Sequence, residues 1–269
     1  HGLPMAQYDP NALKAQMKAA KSARDRGLDE VALSKAFLEY SRDIQTGVLV
    51  PATVDSGIVR QVPYRDRLAL IDTFSRSTAM AWLKKLQPQP PEYVRVMKVK
   101  MDMEKQLGRG GYGPKVQANA LKPGERGGAV VQLRDRLRAR GCAKRSASQA
   151  YDAVLQKAVQ HFLLANGLTS DGVAGAGTIA EVNKPLEAHL QAIMVAMERE
   201  RWVNRDHGDR HVLVNLTDFT AKIIDNGKVT FETRSVIGKN DSDRRSPEFS
   251  DVMEFMVINP SWYVPRSIA

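Results

Sequence analysis

Apolar residues recur at helical spacing along most of this chain and at strand spacing towards its end. In "LSKAFLEYSRDI", Leu33, Phe37, Tyr40 and Ile44 fall at i, i+4, i+7 and i+11, one stripe of an amphipathic helix. That helix should end before "TGVLVP", where Gly47 and Pro51 break the pattern. A second helical stretch, "YRDRLALIDTFSRSTAMAWLKKL", is closed by the breaker cluster Gln87 to Pro91, and a third runs through "EYVRVMKVKMDMEKQL". The following "GRGGYGP", Gly108 to Pro114, is too rich in glycine for a regular element and reads as a linker. A phosphate loop would need a Gly-Lys-Ser/Thr ending, which is missing.

From Leu121 to Asn183 the rhythm tightens. Val130, Leu133 and Leu137 make one helical stripe, and Leu155, Ala158, Val159, Phe162 and Leu163 make a second. A turn at Asp171-Gly172 then leads into a third, short helix, giving a compact helical module. "PLEAHLQAIMVAMERERW" is a longer helix with Pro185 at its start. Beyond it, two β-rich runs meet at Asp225-Asn226-Gly227, a strong hairpin signal. "VMEFMVINP", apolar on both faces, is expected to be a further, buried strand. The pattern predicts an α+β multidomain chain. A helical scaffold spans 1–120, a three-helix module 121–184, and a linker helix with a mixed β segment 185–269.

Length and charge narrow the function classes. The chain of 269 residues has room for two or three domains, and no run of 18 apolar residues exists to span a membrane. The first residue is His1, as in a processed or excised chain. A net charge of +10 favours an anionic partner. The basic residues of "KAQMKAAKSARDR" and "LRDRLRARG" are scattered among acidic ones, as on solvated helix faces. No nucleic-acid-binding signature accompanies them, so a nucleic-acid partner is not expected. The single cysteine, Cys142, excludes an intramolecular disulfide and any cysteine-based zinc site.

The module resembles the peptidoglycan-binding domain of cell-wall enzymes. The residues that carry the likeness are "LKPGERGGAVVQLRDRL", Tyr151-Asp152, Leu155, Ala158-Val159, Phe162, Gly167-Leu168, Asp171-Gly172, Gly175, Thr178 and Asn183. The stretch "MERERWVNRDHGDRHVLVNLTDFTAKIIDNGKVTFETRSVIGK" with "SPEFSDVMEFMVINPSWYVPRSIA" is similar to the opening half of an L,D-transpeptidase catalytic domain. "LSKAFLEYSRDIQTGVLVP" resembles the amino-terminal scaffold of the large periplasmic enzymes of that family. The resemblance implies peptidoglycan glycan and stem peptides as partners, no cofactor and a periplasmic location. It also implies acyl transfer through a cysteine thiolate to form 3→3 cross-links. The family places its His and its Ser-x-Gly-Cys stretch downstream of the "NP-x-W-x-VP-x-SI" segment, within which this sequence stops. No residue here takes the nucleophile's role. The stretch alone is expected to be inactive, and its last strands to need the remaining half of the domain as a partner.

Several residues invite a role. Asn259, Trp262, Tyr263 and Pro265 are candidates for a substrate groove wall, with core packing as the competing reading. Tyr151, Asp152, Phe162, Asp171, Gly172 and Thr178 are the module's binding candidates by resemblance. Cys142 lies between two module helices with no family motif around it and reads as incidental. His207 and His211 stand beside Asp206 and Asp209, but four-apart histidines share a face only on a helix, so no metal site is expected there. Arg244 and Arg245 read as a solvated loop able to pair with stem carboxylates. Two rival readings are a non-catalytic wall-binding protein and a glycan hydrolase. The second would want two carboxylates across a sugar site, and no such pair stands out.

Overall fold

The computed structural model describes residues 2–4, 7–203, 206–241, 244–264 and 266. It is an α+β architecture, helical through most of the chain with a small antiparallel sheet near the end. Two compact units form. One comprises residues 1–48 and 65–204, the other 49–64 and 205–269.

The first unit begins with α1 (Pro10–Ala19) and α2 (Ala23–Thr46). Helix α2 starts at a capping box, in which the Ser22 hydroxyl accepts from Asp25 N–H and the Asp25 carboxylate reaches back to Ser22 N–H. It ends at Gly47, whose φ of +86° suits glycine alone and whose missing Cβ leaves room for Glu198 and Trp202. The stretch expected as one helix from Tyr64 to Leu86 is instead two, α4 (Arg67–Ser75) and α5 (Ala79–Leu86). The reason is local capping chemistry. Asp66 accepts from Ala69 N–H to start α4, and Thr78 accepts from Ala81 N–H to start α5. The Ser77 hydroxyl meanwhile donates to Thr73 O at the end of α4. Ile44, Leu70, Trp82 and Leu86 form the core here, with Phe37 stacked on Trp82 at 4.8 Å between ring centroids.

Helix α6 (Pro91–Leu107) packs along α10 (Leu186–Trp202), and between them in sequence comes the peptidoglycan-binding-like module. The α6–α10 contact is closed by Tyr93, whose hydroxyl sits 3.1 Å from Nη2 of the fully buried Arg201. The module contains α7 (Gly128–Ala139), α8 (Ala153–Ala165) and α9 (Ala176–Val182). Both sequence stripes point inward. Val130, Leu133, Leu137, Leu155, Val159, Phe162 and Leu163 are all buried in one cluster with Tyr151, Ile179 and Val182.

The second unit holds α3 (Pro51–Val54), β1 (Ile58–Val59), β2 (Arg210–Asn215), β3 (Thr220–Asp225), β4 (Lys228–Arg234) and β5 (Glu248–Phe249). Strands β2, β3 and β4 run antiparallel in chain order. Asn226 and Gly227, at φ of +50° and +75°, make the tight turn that the sequence signals. A bulge falls at Ile223/Ile224. Strand β1 pairs in parallel with β5, Ile58 opposite Glu248 and Val59 opposite Phe249. The expectation of a buried strand at "VMEFMVINP" is overturned. Residues 252–260 form no strand, and Val252, Phe255 and Ile258 are largely exposed. Apolar composition favours a strand only where a neighbour supplies a ladder, and among the described residues none pairs with this segment.

Candidate functional site

Four of the module's six candidate residues, Tyr151, Asp171, Gly172 and Thr178, meet at the turn before α9. The buried Tyr151 donates its hydroxyl to Gly172 O at 3.0 Å, and burial pushes its pKa up to about 12. Asp171 accepts from Val173 N–H at 2.9 Å, which shapes the turn. Gly172 has φ of +74°, and a Cβ there would sit 2.8 Å from Gln156 Cγ. Thr178, buried, reaches Val173 O at 3.5 Å. Phe162 lies in the core, with the Arg140 guanidinium 5.4 Å from its ring centroid. Asp152 is the N-cap of α8. It accepts from Leu155 N–H at 2.9 Å and from Arg134 Nη2 at 3.0 Å. Those bonds, the backbone one first, hold its carboxyl down to about 2. Tyr151, Phe162 and Thr178 thus face the interior, while Asp171 and part of Asp152 face solvent.

The structure adds residues that the sequence reading left on the surface. Arg136, on α7, is 3% exposed and is bonded to four backbone carbonyls. Arg140, one turn later, lies 4.3 Å from the Tyr112 ring centroid. Both guanidiniums are lowered in pKa, first by burial and for Arg136 then by Arg140. Beside them a cavity of about 330 Å³ is lined by Leu107, Tyr112, Lys115, Arg136, Asn183 and Glu187, among others. Basic residues in "LRDRLRARG" read as solvated because a helix pattern alone does not show which cation will find carbonyls.

Cys142 is half-buried just beyond α7, with Sγ 3.8 Å from Arg140 O. Burial raises its thiol pKa, the opposite of what an attacking thiolate needs. In the second unit, Trp262 and Tyr263 are 74% and 94% exposed, Asn259 sits at φ of +53°, and Pro265 lies outside the described residues. Arg244 pairs with Asp241 and Arg245 with Asp55, each at 2.6 Å. The His207 and His211 rings are 5.4 Å apart, and among the described residues no group of three or more His, Cys, Asp or Glu converges as metal ligands would. No helix of the described residues is long and apolar enough to cross a membrane.

Comparison with known families fits this arrangement. A family model of a scaffold domain matches residues 1–99, one of a peptidoglycan binding domain matches 126–181, and one of an L,D-transpeptidase catalytic domain matches 209–269. No curated protein matches the chain. The chain therefore carries, in series, a scaffold domain, a peptidoglycan-binding domain and L,D-transpeptidase catalytic-domain sequence, as its residues resemble.

Proposed function

We propose that the protein is a peptidoglycan L,D-transpeptidase acting outside the cytoplasm, in the periplasm, on stem peptides of the wall. The observation that carries this reading is the L,D-transpeptidase match at 209–269, which follows, after α10, a peptidoglycan-binding-domain match with an ordered core. In the reaction a cysteine thiolate attacks the carbonyl carbon of the third residue of a donor stem. A thioester forms, the bond to D-alanine breaks, and D-alanine leaves carrying the proton that the thiol gave up. The side-chain amine of an acceptor stem's third residue then attacks the thioester, forming the 3→3 amide; the C–S bond breaks and the cysteine sulfur leaves with the proton that the amine loses, restoring the thiol. Backbone donors placed for the oxyanion would lower both barriers.

Cys142 sits half-buried in the module with Sγ against Arg140 O, and burial raises its thiol pKa; both support proposing a nucleophile outside positions 1–269. Asn259, Trp262, Tyr263 and Pro265 are the proposed groove wall, and the exposure of the aromatic pair leaves it available to a stem peptide. Tyr151, Asp152, Phe162, Asp171, Gly172 and Thr178 are the proposed wall-binding set. Among them the solvent-facing carboxylates Asp152 and Asp171 would make direct contacts, Tyr151, Gly172 and Thr178 would hold the turn, and Phe162 the core beneath. The test is the intact mass of the protein purified from its own cells, followed by a thiol-reactive β-lactam. A species above 29.8 kDa that takes up the probe on a cysteine other than Cys142 supports the proposal. Affinity for sacculi with neither probe uptake nor cross-linking favours a non-catalytic wall-binding protein instead.

A further inference from the structure

The module joins the rest of its unit through two crossings, the glycine-rich segment leaving α6 and the Asn183–Pro185 segment leading to α10. One guanidinium grips both. Arg136 donates Nη1 to Gly113 O at 2.7 Å and to Pro114 O at 3.2 Å on the incoming segment. It donates Nη2 to Lys184 O at 3.1 Å on the outgoing one, and Nε to Val182 O at 2.9 Å at the end of α9. Arg140 adds Nη2 bonds to Glu181 O, Val182 O and Lys184 O at 3.0 to 3.1 Å and stacks on Tyr112 of the incoming segment. The Asn183 side chain pairs with both backbone groups of Val116, accepting at 2.8 Å and donating at 3.0 Å. Gln106 Nε2, from α6, donates to Ala139 O at the end of α7 at 2.6 Å.

These contacts oppose what the segment's composition would do. Gly108, Gly110, Gly111 and Gly113 within seven residues make a flexible tether when nothing holds them. A guanidinium buried as deeply as Arg136 must keep its donors satisfied, and no carboxylate is hydrogen-bonded to it among the described residues. Three of its four acceptors, Gly113 O, Pro114 O and Lys184 O, are carbonyls of the two crossings, so letting the segments go would leave a buried cation with Val182 O alone. Lysine, a point donor on a flexible stem, could not span three carbonyls on two segments and a fourth on α9.

We infer that the peptidoglycan-binding module is docked rather than tethered. Arg136 and Arg140 form a two-arginine lock that fixes it on the α6–α10 pair and suppresses a glycine hinge built into the same segment. The wall-binding surface then has a set orientation on that pair, and loosening the lock converts it into a swinging module. This holds whatever the module binds, so its failure and that of the proposed function are separable.

The segment carries its own reporters, because trypsin cuts after Arg109 and Lys115, both exposed at its two ends. In the full chain both bonds should resist trypsin. Arg140→Ala and Tyr112→Ala should each speed cleavage about tenfold, since cleavage follows the open population. Arg136→Ala and Arg136→Lys should do so more strongly. Hydrogen exchange of α7 and α8 peptides, read on the same samples, reports whether the module itself stays folded. Faster cleavage with those helices still protected supports the lock. Rapid cleavage of the unsubstituted chain overturns it. If the Arg136 variants unfold the module, Tyr112→Ala decides, because it touches the stack from the linker side. An intact module with unchanged cleavage in that variant also overturns the inference.

Discussion

The Tyr151 hydroxyl donates to the Gly172 carbonyl at 3.0 Å, tying the residue before the α8 N-cap to the turn that precedes α9. Burial keeps this phenol protonated, so it remains a donor throughout the neutral range. Tyr151→Phe retains the ring and removes the bond. It should destabilise the module by about 1 kcal/mol. In urea the midpoint should fall with the slope unchanged, and an unmoved midpoint would show that the bond contributes nothing.

Gly172→Ala should be costlier than an ordinary surface change. The backbone at φ of +74° disfavours any side chain, and the new Cβ would press on Gln156 Cγ at 2.8 Å. The expected loss is about 1 to 3 kcal/mol. Thermal unfolding of the variant against the unsubstituted chain measures it.

Asp152 makes the module's stability depend on acid. Its folded-state carboxyl, near 2, lies below the usual value of 3.8, so the carboxylate form is the one the fold favours. The stabilisation is therefore complete above pH 4 and is lost as pH falls from there through 2. Asp152→Asn should flatten the stability profile in that window while lowering stability at pH 7. A variant with the same acid slope as the unsubstituted chain would assign the slope to other groups.

Cys142 should be a slow thiol. Burial raises its pKa, so less thiolate is present at neutral pH than for a free cysteine. Alkylation of the folded chain at pH 7.5 should lag behind alkylation in denaturant, and a thiol-reactive β-lactam should leave the mass of the chain unchanged. Rapid acylation at Cys142 would reinstate it as a nucleophile.

Arg60 should hold the β1–β5 ladder. Its guanidinium meets the Glu248 carboxylate at 2.8 Å with both side chains about four-fifths buried, and its Nη1 reaches Ser250 Oγ at 2.9 Å. Arg60→Ala should speed exchange of the Glu248 amide, which donates to Gly57 O, by about threefold to tenfold. Amides of the β2–β3 ladder should be unaffected, and their acceleration would mean a wider loss of structure.

Local pattern carried the reading where local physics decides the outcome. The stripes through Leu133, Leu137, Leu155 and Val159 are buried as their spacing implies, and Asn226-Gly227 turns the hairpin. It failed where a neighbour decides. The break at Thr78 depends on a hydroxyl choosing Ala81 N–H over the helix, and the exposed run from Val252 finds no strand partner among the described residues. Nothing in "LRDRLRARG" separates Arg136 from its neighbours until the two crossing segments are in place. The binding candidates were legible as a turn-and-core set, whereas their division into interior Tyr151 and Thr178 and outward Asp171 was not.

The pairing of Ile58–Val59 with Glu248–Phe249 also has a bearing on synthesis. Arg60 and Glu248 stand 188 residues apart, and the whole binding module is strung between them. At about 5 to 20 residues per second, on the order of 10 to 40 seconds separate the emergence of β1 from that of its partner. During that interval the 49–64 segment has no ladder to join. The module, whose contacts stay within its own stretch of the chain, such as Val116 with Asn183, can finish folding inside the open loop. Closing so long a loop adds only logarithmically to the entropic cost, so order of emergence rather than loop length sets when the β1–β5 ladder forms. A chain-elongation pause after the module would lengthen the time β1 stays exposed to chaperones, and it would leave the module's own folding untouched.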